Sequence, residues 1–219
     1  MPHSSHNLLA AAKSGDQQAV GQLLEDNRAR LRRMVRVRLH PLVRPRVDES
    51  DILQNAFLDA SRRIEDYFET SSLPFYLWLR HLTDQQIRQC HRHHLDIQKR
   101  SVRQDRRLDV GDASLSFCMA SYIVSQDTSP PDAAAREELR ESVHRVLDQL
   151  NEVDREILCM RHLEQMSNAE VATALNIPST NASTRHLRAL VKLQKGLAKL
   201  SVSLPQKTKT PSAEDGDLL

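Results

Sequence analysis

From Ser167 onward the chain carries a pattern that few folds can host. Ser167 stands three residues before Glu170. The serine oxygen can therefore accept from the third helical amide while the glutamate reaches back to the serine amide, a capping box. A short helix is expected over Ala169–Leu175, and Asn176-Ile177-Pro178 follows as a turn. Ser179 can cap a second helix continuing to about Leu200. Along that helix Asn181, Arg185, Arg188, Lys192, Lys195 and Lys199 recur at steps of four and three, on one stripe. Ala182, Ala189, Leu190, Leu193, Leu197 and Leu200 fall roughly a third of a turn away. One face is built to pack and the other is basic. A short helix, a tight turn and a basic second helix make a helix-turn-helix. In such a unit the second helix sends its first side chains to base edges and its later cations to phosphates. Thr180, Asn181, Ser183, Thr184 and Arg185 are the candidates for base edges, and Arg188 and Lys192 for phosphates.

The rest of the chain is also helical in character. Aromatics are 4% of its 219 residues and glycine occurs five times, too little of either for a sheet protein. Asp16 can cap a helix to about Leu39, with Val20, Leu23, Leu24, Leu31, Met34 and Val35 at helical spacing. Asp48 can cap a second, Glu49 to Tyr67, burying Leu53, Ala56, Phe57, Ala60 and Ile64. A third begins after Ser72 and Pro74 and reaches about Arg103, with a break expected near Thr83. Periodicity fails from Leu108 to Pro131, which reads as a linker with a few apolar residues able to dock. Asp132–Leu150 is an acidic helix, and Asn151 caps another to about Leu163. Residues 201–219 are polar and read as a disordered tail.

A net charge of +2 hides a block pattern. Residues 28–46 hold eight arginines and no acid, and residues 88–107 hold seven Lys or Arg against two Asp. Residues 111–170 reverse this, with five basic and twelve acidic side chains, and residues 179–209 carry seven basic ones. Separated basic blocks suit a polyanion gripped at more than one place.

Other classes are disfavoured. Cys90, Cys118 and Cys159 are few and scattered, so no disulfide framework is expected and a cytoplasmic setting follows. The apolar run Leu8–Ala12 is too short for a signal peptide or a membrane span. Cys90 and His94 stand at i and i+4, with His91 and His93 between them, but a zinc site needs further ligands and Arg88 and Arg92 lie alongside. No metal or cofactor is expected. No glycine-rich phosphate loop is present, which argues against an NTPase.

The order of these pieces, over about residues 8–200, resembles the extracytoplasmic-function group of RNA polymerase sigma factors. Gly15, Asp16, Ala19, Leu23, Leu24, Arg30 and Leu31 follow that family's first-helix spacing. Asp51-Ile52-Leu53-Gln54-Asn55-Ala56-Phe57-Leu58 is similar to its polymerase-binding helix, and Phe75, Trp78, Leu79 and Arg80 to its F-x-x-W-L-R stretch. Lys99-Arg100 matches a closing basic pair, and residues 150–190 resemble its second domain. Asn151 replaces a usual proline, Pro178 a common serine, and Leu82–Gln85 departs from the family's I-A-R-N segment.

The resemblance implies an all-α fold of two helical domains, residues 1–107 and 132–200, joined by a flexible linker over 108–131. It implies no enzymatic activity. The first domain would hold core RNA polymerase by the β′ clamp helices through Asp51, Gln54, Asn55 and Leu58. Leu58 is an apolar residue on a polar face, which an interface can use. The same domain would read the −10 region of promoter DNA through Trp78, Arg80, Gln85, Arg88, Arg92, Lys99 and Arg100. The second domain would read the −35 element and meet the β flap, and an anti-sigma factor is a further partner of the class. The competing reading is a stand-alone helix-turn-helix repressor or activator. It accounts for the C-terminal half but not for a second basic helical domain.

Overall fold

The computed structural model describes the backbone of residues 2–101, 112–125 and 133–203, and among them every regular element is helical. Helix α1 (Pro2–Lys13) leads through Gly15, at φ +95°, into α2 (Gln17–Arg38). Asp16 accepts from the amides of Gln18 and Ala19 and starts α2 as its sequence suggests. A 3₁₀ turn (Arg44–Arg46) follows, then α3 (Glu49–Arg62), capped by Asp48. The single helix expected over Glu49–Tyr67 is divided at Arg63, which leaves helical geometry (φ −110°, ψ 12°) and opens α4 (Ile64–Thr70). Helix α5 (Phe75–Ser101) runs through Thr83 without a break. The buried Thr83 hydroxyl donates to the Leu79 carbonyl at 2.9 Å, so the side chain is satisfied inside the helix instead of interrupting it.

The stretch read as a linker holds helix α6 (Asp112–Ser125), packed between α2 and α7 (Ala133–Asp148). Ser116, Cys118, Met119, Ala120 and Val124 are all buried. A helix covered on several sides has no apolar stripe, which is why periodicity failed there. Helix α8 (Glu152–Leu158), capped by Asn151, passes into a π-helical turn (Cys159–Leu163). Helices α9 (Asn168–Ala174) and α10 (Ser179–Ser203) are the last described elements; α10 reaches into the segment expected to be disordered, the rest of which lies outside the described residues.

The two halves share their cores. Leu31, Met34, Val35, Leu53 and Leu79 pack in one cluster with Ile157, Met160, Met166 and Val171 from beyond α7. Val37 of α2 lies in the other cluster, with Met119, Leu147, Leu158, Cys159 and Ala189. Helix α10 crosses α7 closely at Gly196, where a Cβ would sit 2.4 Å from a Val146 methyl carbon. No helix among the described residues is long and apolar enough to cross a membrane.

Candidate nucleic-acid interface

Helices α9 and α10 form the helix-turn-helix that the capping box announces. Ser167 Oγ accepts from the Glu170 amide at 3.2 Å, and Glu170 Oε2 accepts from the Ser167 amide at 2.8 Å. That pairing holds the Glu170 carboxyl below its usual range, against the opposing effect of burial, with Arg30 assisting. The turn closes through Asn176, whose φ of 52° suits asparagine, and through the Ile177 amide bonding to the Ala172 carbonyl at 3.0 Å. Asn168 Nδ2 then donates to Ser179 Oγ at 2.7 Å and to its carbonyl at 3.0 Å, fixing the start of α10 against the start of α9.

On α10, Ala182 and Ala189 are buried against the body while Thr180, Asn181, Ser183, Thr184, Arg185, Arg188 and Lys192 are exposed. All seven candidates thus stand on the outer side of one helix. Lys192 is already engaged: its Nζ lies 2.6 Å from Oδ2 of the buried Asp154. His186, on the same helix, meets His162 with their Nε2 atoms 2.8 Å apart. Burial and the neighbouring cation Arg161 push the pKa of both imidazoles down.

Helix α3 presents Asp51, Gln54, Asn55 and Leu58 to solvent, and Leu58 is 50% exposed although apolar. Ile52, Leu53, Ala56, Phe57 and Ala60 occupy the opposite, buried side. The four candidates for polymerase contact are therefore gathered on one free face.

The −10 candidates are more scattered. Arg88 and Arg92 are exposed on α5, and Arg88 pairs with Asp84 at 2.8 Å. Gln85 is half-buried, its amide 2.9 Å from His81 Nε2. Trp78 packs against Tyr67 and Phe75, with ring centroids 4.7 and 5.6 Å away. Arg80 is buried, bonded to Glu164 at 2.8 Å and to Glu156 at 3.4 Å. Lys99 and Arg100 fall on α5 but outside the residues whose side chains are described.

The Cys/His cluster on α5 is drawn into packing. His91 is buried and its Nε2 accepts from the His40 amide at 3.0 Å. Burial, with His40 beside it, lowers its pKa from 6.5 to about 4 despite the opposing Asp84. Burial raises the Cys90 thiol. Among the described residues no three His, Cys, Asp or Glu side chains gather as a metal site.

Sequence reasoning missed Arg38, Glu156 and Glu164. Arg38 bonds Glu164 through Nε and Glu156 through a terminal nitrogen, each at 2.5 Å. Glu164 is wholly buried. Burial alone would raise its carboxyl, but Arg38 and Arg80 outweigh that and hold it at about 2. The sole hint in the sequence was an acid in an otherwise apolar-spaced stretch.

The fold is helical throughout the described residues and carries a helix-turn-helix over α9 and α10. The family described as sigma-70, region 4, matches residues 140–193. The RNA polymerase sigma-H factor of Pseudomonas aeruginosa is 27% identical over 153 residues, spanning 70% of this chain and 75% of that protein. A solved structure of CnrH in complex with the cytosolic domain of CnrY aligns over 92% of this chain and 99% of its own, with a TM-score of 0.53 and 24% identity. Residues 140–193 thus match sigma-70 region 4, and over most of its length the chain is similar to an RNA polymerase sigma factor.

Proposed function

We propose that the chain is a promoter-specificity factor that reads two DNA elements, with no chemistry of its own. The observation that carries this reading is the exposed N-terminal half of α10. Thr180, Asn181, Ser183, Thr184 and Arg185 are all exposed there, and the first residues of a recognition helix are the ones that reach base edges in a major groove. Residues 132–200 read the −35 element and meet the β flap. Arg188 holds a phosphate, and Lys192 does so after leaving Asp154. Residues 1–107 dock on the β′ clamp helices through Asp51, Gln54, Asn55 and Leu58, and read the −10 region once its strands separate. Arg88 and Arg92 are accessible for that task in the form described, whereas Arg80 needs a rearrangement.

CnrH forms a complex with the cytosolic domain of CnrY. A comparable anti-sigma partner for this chain, and a cytoplasmic location, are part of the proposal. Run-off transcription with purified core polymerase over a genomic fragment pool tests it. Discrete transcripts that depend on the chain are expected. Sequence-specific binding to a palindrome without polymerase, and no transcripts, would favour the stand-alone repressor reading.

A further inference from the structure

The helix-turn-helix carries at its edge a pair of side chains that base reading does not use. His162 lies in the π-helical turn after α8 and His186 on α10, and their Nε2 atoms stand 2.8 Å apart. The ring centroids are 5.0 Å apart and the planes are tilted by 31°. His162 is exposed and His186 half-buried, so the pair is open to solvent. The two positions are 24 apart in the chain, and no local spacing marks them in the sequence.

Two readings of the contact compete. The first is an ordinary hydrogen bond, in which one neutral ring donates and the other accepts. The second is a site for a cation. Solvated imidazoles gain little by bonding one another, since water serves each nearly as well. What brings these two together is the backbone. The π-helical turn, a geometry that recurs at functional sites, is closed by the Glu164 amide on the Cys159 carbonyl at 2.9 Å. The chain then reverses through Gln165, at φ 58°, and the Met166 amide bonds the Met160 carbonyl at 2.8 Å. His162 is thus placed opposite α10 by main-chain bonds on both sides of it.

The chemistry of the rings selects the ion. Two ligands at the ~2.0–2.1 Å of a zinc–imidazole bond, at right or tetrahedral angles, stand ~2.9–3.4 Å apart. The pair is already close to that separation. Burial, assisted by Arg161, pushes both pKa values down, so both rings are neutral at neutral pH. Moving one proton from Nε2 to Nδ1 turns both lone pairs on an ion. Imidazole nitrogen suits zinc, copper and nickel, whereas magnesium and calcium take oxygen. Arg161 opposes a cation, but its guanidinium is tied back to the Met166 carbonyl at 2.5 Å. Among the described residues no third His, Cys, Asp or Glu completes the set, so water fills the remaining positions of such an ion and it exchanges readily.

We propose that His162 and His186 form an exchangeable two-imidazole site for a divalent transition-metal ion, which staples α10 to the turn after α8. The loop so closed contains all of α9 and the turn at Asn176. A ligand that binds only the folded chain stabilises it, and a clip across a loop limits its opening. The site does not rest on the promoter reading; it reaches that reading only through Arg185, the neighbour of His186.

The test titrates Zn²⁺ into the full chain, labelled with ¹⁵N-histidine, at neutral pH, with Mg²⁺ as the control. The ring signals of His162 and His186, assigned by their loss in His162→Gln and His186→Gln, should move together and before those of the other histidines. The midpoint of thermal unfolding should rise with zinc and not with magnesium. Each variant should cancel that rise and weaken zinc binding by about tenfold or more, since the loss of even an outer-shell partner costs that much. Glutamine can still bond the remaining imidazole, so a pair that is only a hydrogen bond predicts unchanged zinc binding in both variants. Sedimentation should show a monomer throughout, which separates a staple within one chain from an ion shared by two. The proposal is overturned if the two signals stay still while other histidines shift, if both variants bind zinc as tightly as the unaltered chain, or if zinc dimerises the protein through these rings. Zinc held by both rings with no rise in the midpoint would uphold the site and refute the staple.

Discussion

The helix-turn-helix and the joint between the halves are both polar constructions, yet they are built on opposite principles. The turn between α9 and α10 is assembled from neighbours: Ser167 with Glu170, Asn168 with Ser179, Ile177 with Ala172. Each partner lies within eleven residues of the other and the surroundings are largely exposed. The joint is assembled from strangers. Arg80 and Glu164 are 84 residues apart, and Arg38 and Glu164 are 126 apart. The first kind of construction can form wherever its short segment exists. The second exists only when the whole chain is folded.

The largest expected effect breaks the joint. Glu164→Ala leaves two buried guanidiniums with one acid fewer, and removing one partner of a buried ion pair costs roughly 3–5 kcal/mol. Urea unfolding monitored by circular dichroism should show a loss of that order. A loss below ~1 kcal/mol would class the cluster with exposed surface pairs.

Acid should destabilise the folded chain in two stages, one at His91 and one at the buried Glu164. The pKa of His91 falls from 6.5 to about 4 in the folded chain, so the unfolded chain binds its proton first. Stability is then complete above pH 6.5 and declines as pH falls toward 4. Glu164 moves from 4.5 to about 2, so its contribution is complete above pH 4.5 and declines as pH falls toward 2. Each stage is on the order of 3 kcal/mol. In denaturation curves taken across pH, His91→Asn should flatten the upper stage and Glu164→Gln the lower. A profile that neither change alters would contradict both assignments.

The helix-turn-helix should respond on a smaller scale and in a different observable. Arg185→Ala should cost roughly 1–3 kcal/mol in promoter binding and relax preference at one base pair. Lys192→Ala should weaken all sequences alike, and less, because Lys192 must first leave Asp154. Competition binding against a base-substituted −35 library distinguishes them. Equal, sequence-blind losses would make Arg185 a backbone contact. Smallest of all, Ser167→Ala should lower stability by about 1 kcal/mol, the ordinary worth of an N-cap. Thermal unfolding would reveal a larger value if the cap also supports the Arg30–Glu170 contact.

The same contrast explains how far the sequence could be read. Ser167 and Glu170 declare a helix start because their partnership is local, and Asp16, Asp48 and Asn151 cap helices for the same reason. The outward placement of Leu58 and of the α10 stripe followed from periodicity alone. Helix α6 was illegible because it is enclosed on several sides, so no period marks it. Thr83 was misread as a break because its hydroxyl finds an acceptor one turn back. Arg80 looked like one cation among many on α5; its partner lies beyond α6, α7 and α8, and no local rule connects them.

The central claim is that two domains read two promoter elements at a spacing imposed by polymerase. An in vitro transcription series that varies the DNA between the elements tests it most directly. Inserting about five base pairs turns one element half a helical turn away from the other. The account predicts that transcription is then lost, and that adding a few Gly or Ser residues after Ser125 does not restore it or shift the preferred spacing. Transcription indifferent to the insertion, or a preferred spacing that follows the length of the added segment, would contradict it.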